Sequence, residues 1–479
     1  MFSRKLTGRA KANAPGLEDA PVGDCQVDDS QTLRGDDDAS IRDKEYEPKY
    51  GWVIVVSVFF TNAHTWGLIG SYSVFLAHFL HSGQFSNPDP LTLAFVAGLS
   101  FSVALLVAPV VTRLNPYIGP QPTVFIGILV QTGGLIAASF STRIWHLVLS
   151  QGIVFGAGVG FIVNTTVSIV PQWFHARRSF AVAVTTAGSG TGGLLYSLTT
   201  RTMIDNLGLA WAFRILAIVS FTINSISNLF LKSRSTSVGA VHLGFDVSFF
   251  KRPEFCLFLA WGFFSQFGFG ITVFSMADFA ETMGFTPRQG SIASAIFNLS
   301  QAVGRPLIGL ASDRYGRLNV GSICTLTAAL STLLIWILAG KSFAGTIIYT
   351  LFGAFASNMW TTVAPIGVEV MGLKLLPPAL SIFWLALVLP TTFAMPIALS
   401  LKGKGEYPYL GVQLFTGFSY MAAFISVWFL RALKLYRVDS LQSSSESRDR
   451  ASIRHGEGVK SSRNKVTELC RGLISRRKV

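Results

Sequence analysis

Roughly a dozen apolar stretches, each about twenty residues long, follow one another from Tyr50 to Leu430 with short polar breaks between them. A bilayer core about 30 Å thick needs about 20 helical residues to cross it, because each residue rises about 1.5 Å. Lipid offers no hydrogen bonds to open backbone groups, so each spanning segment must satisfy its own. The sequence therefore predicts an integral membrane protein built of α-helices.

The composition agrees with that prediction. Only 13% of the residues are charged, half are hydrophobic, and the mean hydropathy is +0.48. A soluble chain of this length would be far more charged. The 45 glycines are typical of helices that approach each other closely in lipid.

The fold class predicted is all-α, with 12 transmembrane helices in two six-helix bundles, because a longer charged connector divides the apolar stretches into two sets of six. The first six spans are predicted at Tyr50–Leu76, Leu91–Thr112, Gln121–Phe140, Ile144–Val170, Ser179–Thr200 and Ala210–Leu231. The second six are predicted at Phe255–Ala280, Ser291–Ala311, Val320–Ala339, Gly345–Met371, Ala379–Leu401 and Tyr409–Leu430. Two bundles with a path between them are typical of a transporter.

Five parts of the chain follow from this division. Residues 1–49 form an acidic tail without apolar periodicity, which is predicted to be disordered. Residues 50–231 and 255–430 form the two bundles, residues 232–254 connect them, and residues 431–479 form a basic tail. Lysine and arginine are more frequent in the loops on the side of the two tails, so both termini and the connector are predicted to be cytosolic.

The net charge of +14 is concentrated in the basic tail, beside the membrane. Anionic lipid of the inner leaflet is the partner predicted for it, and no nucleic acid is expected. The four cysteines are scattered without metal-ligand spacing, so neither a metal nor a cofactor is predicted. A multi-pass protein of the plasma membrane is expected, and its oligomeric state stays open.

The segment Gly309-Leu-Ala-Ser-Asp313-Arg314-Tyr-Gly316-Arg317 ends the eighth span, and it resembles the signature loop of the major facilitator superfamily. A carboxylate held at a helix end against guanidinium groups would form a latch that opens when the bundles rock. The alternative is a solvated turn that anchors two helices. The matching segment of the first half keeps an arginine but has no acid. The residues with a predicted gating role are Gly309, Asp313, Arg314, Gly316, Arg317 and, in the matching segment, Arg113.

Several further motifs together resemble monocarboxylate-carrier-like proteins, and especially their fungal branch. The motifs are Tyr50-Gly51-Trp52, Asn62-Ala-His64-Thr-Trp66-Gly67, Pro171-Gln-Trp173-Phe174-His-Ala-Arg177-Arg178, Phe245-Asp246-Val-Ser-Phe-Phe-Lys251-Arg252-Pro253-Glu-Phe255 and Gly304-Arg305-Pro306. The resemblance covers nearly the whole membrane region. It implies transport of an organic anion.

Arg305 is the strongest candidate for a substrate-binding residue. An arginine inside an apolar span costs about 2.5 to 3.5 kcal/mol on insertion scales, so its side chain is expected to face a water-filled path or a partner. A guanidinium there can bind a carboxylate in bidentate fashion, and the resemblance implies the same role. The alternative is that Arg305 extends to the cytosolic interface.

Two positions depart from the animal carriers of that family, which have an acid one helical turn before the arginine and a lysine in the first span. These positions are Gln301 and Gly70 here, which argues against proton-coupled symport by the usual route. His64 is a candidate substitute, because imidazole titrates near neutral pH, or it is a hydrogen-bonded interior histidine. Asn62, Asn164 and Asn298 could line the cavity or bridge helices, and Gln301 is grouped with them as a candidate.

Five glycines of the fourth and fifth spans, Gly156, Gly158, Gly160, Gly188 and Gly192, are predicted to let helix backbones pack closely. Phe263, Phe264, Phe267 and Trp360 are candidates for an aromatic cavity wall. A roomy, weakly charged path favours a larger organic acid or amphipathic metabolite. The leading interpretation is therefore a secondary active transporter of such a metabolite, which works by alternating access and exports a fungal secondary product.

Three other functions are alternatives for this sequence. Uptake of a nutrient monocarboxylate or vitamin by proton symport is the alternative within the same class. A nontransporting sensor would normally need a long cytosolic extension, whereas each tail here has about fifty residues. An enzyme would need clustered histidines or a nucleophile with its base, and neither pattern is present in the sequence. The chain also has no glycine-lysine nucleotide loop, so a gradient is expected to drive transport.

Overall fold

The computed structural model describes residues 49–72, 75, 79, 90–235, 245–403, 405 and 407–453. Nearly all of the predicted acidic tail, and the predicted basic tail after Ile453, lie outside these residues. Over the described ranges the chain forms twelve long helical segments and no strand. The fold class predicted from the sequence is confirmed.

The first bundle contains six of these segments, several of them interrupted. They are α1 (Lys49–Gly70), α2 (Pro90–Leu106 and Ala108–Ile118), α3 (Pro120–Ala138), α4 (Ile144–Gln172), α5 (Arg178–Leu207) and α6 (Leu209–Leu229). We call the end of the molecule at which α1 begins the inner end, because the sequence predicts that it faces the cytosol, and the opposite end the outer end.

The second bundle contains the other six. They are α7 (Pro253–Thr282), α8 (Pro287–Tyr315), α9 (Arg317–Ala339), α10 (Phe343–Leu351, Gly353–Ala356 and Asn358–Met371), α11 (Leu376–Leu401) and α12 (Leu410–Ile453). A short 3-10 helix, Val247–Lys251, precedes α7 within the connector.

Eight segments are long and apolar enough to cross a membrane, and α2 joins them as a pair of helices bent by 46°. The remaining three are α5, α8 and α10. Helices α5 and α8 are long but more polar, and they pack against each other across the two bundles. Their polar residues are therefore turned in part toward the partner bundle.

Three spans predicted as continuous helices are interrupted in the structure. In α2 the interruption is at Val107, where Pro109 of the following turn has no N–H to donate and crowds the preceding turn. In α1 it falls at His64 and Thr65, where the Thr65 hydroxyl donates to the Thr61 carbonyl at 2.7 Å. Helix α10 is interrupted at two places, one of them Ser357. These interruptions place backbone and side-chain oxygens inside the membrane region.

The five glycines with a predicted packing role lie against a neighbouring helix. Gly156 and Gly160 of α4 face Ser100 and Ala104 of α2, Gly158 faces Gln131 of α3, and Gly188 and Gly192 of α5 face Phe59 and Ala63 of α1. A Cβ atom at any of them would overlap the atoms that it faces. These contacts join the helices of the first bundle.

Helix α12 continues well past Leu430, where the last predicted span ends. It runs for 44 residues, so the first part of the segment predicted as a basic tail is helical. Arg437 in this extension lies 2.6 Å from the buried carboxylate of Glu254, at the start of α7. The ion pair fixes the extension to the inner end of the second bundle.

Candidate functional site

Arg305 lies in the middle of α8, at the contact between the two bundles, and only 3% of its surface is exposed. Its Nη1 donates to the Thr186 carbonyl at 2.7 Å and to the Ser189 hydroxyl at 2.6 Å, both on α5 of the first bundle. Its Nε donates to the Ser357 hydroxyl at 3.2 Å, at an interruption of α10. One guanidinium therefore bonds to both bundles.

All of these partners of Arg305 are neutral. The fourth, Gln301, accepts from Nη2 through Oε1 at 2.6 Å. Among the described residues no carboxylate lies within ion-pair distance of this guanidinium. A buried cation without a counter-charge is costly, and a bound anion would remove that cost.

Gln301 also connects Arg305 to Asn298. The Gln301 amide nitrogen lies 3.4 Å from the Asn298 side-chain oxygen, one turn closer to the outer end. Asn298 in turn lines a cavity of about 70 Å³ between the bundles. Three of the predicted substrate-binding residues, Arg305, Gln301 and Asn298, thus form one hydrogen-bonded row that begins at a cavity.

This outer cavity is formed by both bundles, and its walls are mostly apolar. Its lining includes Gly70, Tyr72, Phe95, Gly98 and Ser197 from the first bundle and Val273, Phe274, Asn298, Thr391, Thr392 and Pro396 from the second. Thr392 also lies 2.7 Å from the Ser102 hydroxyl, which joins α11 to α2. An amphipathic solute suits such walls better than a fully hydrated one does.

An aromatic layer crosses the interface between the bundles closer to the inner end. We define the central aromatic layer as Trp66, Phe101, Phe269, Trp360 and Trp384. The rings of Trp360 and Trp384 are stacked at 5.3 Å with an angle of 9° between their planes. From the first bundle, Trp66 and Phe101 each lie 5.5 Å from Trp360. The layer separates the outer cavity from a smaller cavity at the inner end, which Trp384 helps to line.

At the inner end, Asp313 of α8 binds to the first turn of α5. Its two carboxylate oxygens accept from the backbone N–H groups of Ser179 and Phe180 at 2.9 and 2.8 Å. A carboxylate is favoured at a helix N-terminus, where N–H groups are free and the helix dipole is positive. The sequence predicts arginine side chains as partners of Asp313 and does not indicate these two backbone partners. The gating role stays a prediction.

The other residues of the predicted gate surround this contact. Gly309 lies against Ala183 and Ser179 of α5, and Gly316 has a φ of 98°, which glycine adopts without strain. Arg317 lies 3.4 Å from Glu369 at the end of α10, and its guanidinium also bonds to the His175 carbonyl of the first bundle at 3.4 Å. Two arginines are exposed, namely Arg314, which lies over the Tyr315 ring, and Arg113.

The remaining substrate-binding candidates lie within the first bundle. Asn62 donates to the Thr185 carbonyl at 2.9 Å and joins α1 to α5. Asn164 donates to the Ala104 carbonyl at 2.9 Å and also lines the smaller inner cavity. The His64 Nδ1 is 2.8 Å from the Phe60 carbonyl, and the ring meets Tyr196 edge to face. The structure does not bring these three side chains to Arg305.

The aromatic candidates are also divided. Trp360 belongs to the central aromatic layer, whereas Phe263 packs on Phe267, and Phe267 packs on Phe415 of α12. Sequence reasoning missed Trp66, Phe101 and Trp384 as members of the layer, and Ser189 and Ser357 as partners of Arg305. Trp66 stands in one of the family motifs quoted above, which is a signal that could have found it.

Two helical bundles that close around a buried cation, with a cavity between them, are the architecture of a multi-pass membrane transporter for small solutes. The chain belongs to the Major Facilitator Superfamily, whose sequence model matches residues 54–261 and 257–467. The two matches together cover nearly the whole membrane region.

Relatives and solved structures agree with this assignment. The chain is 31% identical to the probable transporter MCH2 of Saccharomyces cerevisiae, over 86% of this chain and 89% of that protein. It is 25% identical to the fujikurins efflux protein of Gibberella fujikuroi, over 76% and 79% of the two chains. The proton:xylose symporter XylE has the same fold, with a TM-score of 0.61 at 14% identity, over 80% of this chain and 95% of that one.

Proposed function

We propose that this transporter carries an organic metabolite with a carboxylate group and an apolar body, by alternating access between the two bundles. The observation that carries the proposal is the buried guanidinium of Arg305, which has four neutral partners and no carboxylate partner among the described residues. An anionic solute would supply the missing charge. The monocarboxylate-carrier-like motifs support the same solute class.

Binding requires the two bundles to separate at Arg305. The bonds from Nη1 to Thr186 and Ser189 cross from the second bundle to the first, so they break when α5 moves away from α8. Gln301 and Ser357 stay on the side of the second bundle and continue to orient the guanidinium. A carboxylate that enters between the separated bundles would then replace the two partners on α5.

Export is the direction that we favour. The fujikurins efflux protein, a relative over most of both chains, is named for efflux of a compound class rather than for nutrient uptake. The mostly apolar lining of the outer cavity also favours solutes less hydrophilic than lactate. We place the protein in the plasma membrane with cytosolic termini, where the basic C-terminal tail would lie beside anionic lipid.

The test replaces Arg305 by Lys and by Ala in cells that lack the native gene, with Arg288→Ala as the matched control. Arg288 lies on the same helix but is exposed at its outer end. The measured quantity is the ratio of internal to external amount of each metabolite that wild-type cells export. We expect this ratio to be at least about tenfold higher in cells with either Arg305 variant than in cells with the wild type or the control. Surface abundance is measured in parallel. Normal export by both Arg305 variants at normal abundance would refute the proposal.

A further inference from the structure

We infer that Trp360 and Trp384 form a second part of the solute site, which selects a planar aromatic or conjugated acid that carries a further oxygen acceptor. The inference rests on the proposed function, because it takes the carboxylate to be bound by Arg305. It adds the chemistry of the solute body.

The first step is the position of Trp360 relative to Arg305. Ser357, which accepts from Arg305, lies three residues before Trp360 on α10. Ser357 is the residue just before the helix Asn358–Met371, and its carbonyl accepts from the Trp360 N–H at 3.1 Å. One turn of backbone therefore separates the partner of the cation from the indole. A solute whose carboxylate is bound by Arg305 would have its body beside Trp360.

The second step concerns the two sides of the Trp360 ring. Trp384 of the same bundle is stacked on it, almost parallel, whereas Trp66 and Phe101 come from the other bundle. Separation of the bundles withdraws Trp66 and Phe101 and leaves the Trp360–Trp384 pair in place. The pair then offers an aromatic surface of fixed orientation, which favours a flat solute in offset stacking or edge contact.

The third step concerns the indole N–H groups. The Nε1 atoms of Trp360 and Trp384 are buried and have no hydrogen-bond acceptor among the described residues. Trp384 as a whole is 3% exposed and lines the smaller inner cavity. Buried Trp N–H groups usually have a partner, so two neighbouring ones without an acceptor indicate sites for solute oxygen atoms.

The experiment measures equilibrium binding to the full-length protein in lipid nanodiscs, with three carboxylate probes. They are 2-naphthoate, its saturated analogue decahydro-2-naphthoate, and 6-acetyl-2-naphthoate, which adds a carbonyl oxygen. We expect the planar acid to bind about three- to tenfold more tightly than the saturated one, and the acetyl group to add about a further fivefold.

The variants separate the ring from its N–H group. Trp360→Leu removes the ring and is expected to abolish the preference for the planar acid. The double variant of Trp360→Phe and Trp384→Phe keeps two rings but removes both donors, so it should lose only the gain from the acetyl group. Trp145→Leu, an exposed tryptophan at the outer end, is the control and should change neither preference.

The outcomes distinguish this inference from the proposed function. Equal binding of the planar and saturated acids by the wild type, together with loss of both in Arg305→Ala, would overturn the inference and leave the proposed function standing. Unchanged discrimination in Trp360→Leu would also overturn it. Binding of all three acids that is insensitive to Arg305→Ala would overturn both.

Discussion

Gln301 lies one helical turn before Arg305, and its side-chain oxygen accepts a hydrogen bond from the Arg305 Nη2 atom at 2.6 Å. Because the amide is neutral, it orients the guanidinium without cancelling its charge. A carboxylate at the same position would form an ion pair with Arg305 and compete with an anionic solute. The glutamine therefore leaves the positive charge available for an anionic solute, as the proposed function requires.

Replacing Gln301 by Glu should make transport depend on pH. Above the pKa of the new carboxyl group the side chain is charged and pairs with Arg305, so anion flux should fall by about tenfold. As the pH falls through that pKa, protonation removes the competing charge and flux should recover. Gln301→Leu is the control, since it removes the hydrogen bond without adding a charge. Anion flux into proteoliposomes of the Gln301→Glu variant that does not change between about pH 4 and 8 would contradict this prediction.

Replacing Asp313 by Asn should open the inner end. Two charge-assisted bonds to the backbone of α5 become weaker, by a total of about 1 to 3 kcal/mol, so the inner end should open about tenfold more often. The measurement is the labelling rate of a cysteine placed at Ser168, which lines the smaller inner cavity. The chain used also carries Cys25→Ser, Cys256→Ser and Cys470→Ser, so that the buried Cys324 is the one native cysteine left.

Asp246→Asn is the matched control for that measurement. Asp246 also accepts from a backbone N–H group, that of Ser248 at 2.9 Å, but this contact stays within the connector. We expect it to leave the labelling rate unchanged. Equal labelling in the Asp313 and Asp246 variants would show that Asp313 does not hold the bundles together.

Two glycines of α5 should respond differently to substitution by alanine. Gly192 faces the Ala63 carbonyl within the first bundle, whereas Gly190 lies against Asn298 and Ala302 of the second bundle. Gly192→Ala should therefore lower the melting temperature, and Gly190→Ala should mainly open the contact between the bundles. Thermal stability measures the first effect, and the labelling rate of a cysteine at Ser168 measures the second. Gly133→Ala is the control, because no atom lies within 4 Å of an added Cβ at that position. The same loss of stability in both variants would contradict the distinction.

Removing Arg437 should destabilise the protein more than removing Lys402. Arg437 pairs with Glu254, whose side chain is 6% exposed, whereas Lys402 pairs at 2.7 Å with Asp278, whose side chain is 45% exposed. A buried carboxylate left without its partner costs more than an exposed one. Because Arg437 is itself half exposed, we expect about 1 to 2 kcal/mol for Arg437→Ala and under about 1 kcal/mol for Lys402→Ala. A larger fall in melting temperature for Lys402→Ala would reverse this ranking.

The twelve segments and the fold class could be predicted from the sequence because the length of an apolar stretch reports membrane crossing directly. The contact between Gln301 and Arg305 was also accessible, since residues four apart meet on a helix. The interruption of α10 was not, because Ser357 and its neighbours form an ordinary apolar stretch in the sequence. Only packing shows that this stretch is divided.

The contacts between the two bundles could not be predicted from the sequence. The central aromatic layer joins Trp66 and Phe101 to residues more than two hundred positions further along the chain. Periodicity identifies one face of a helix but not the helix that it meets. For the same reason the sequence could not show that Asp313 binds the backbone of α5.

The bonds from Arg305 to Thr186 and Ser189 should affect how fast the carrier changes orientation when no solute is bound. If the bundles separate while no solute is bound, these bonds are lost and no anion replaces them, so the unloaded carrier should change orientation more slowly than the loaded one. A loaded carrier replaces them at once. We therefore expect one-for-one counterflow of solute to outpace net release, and the protein to hold a concentration difference without letting it dissipate through slippage.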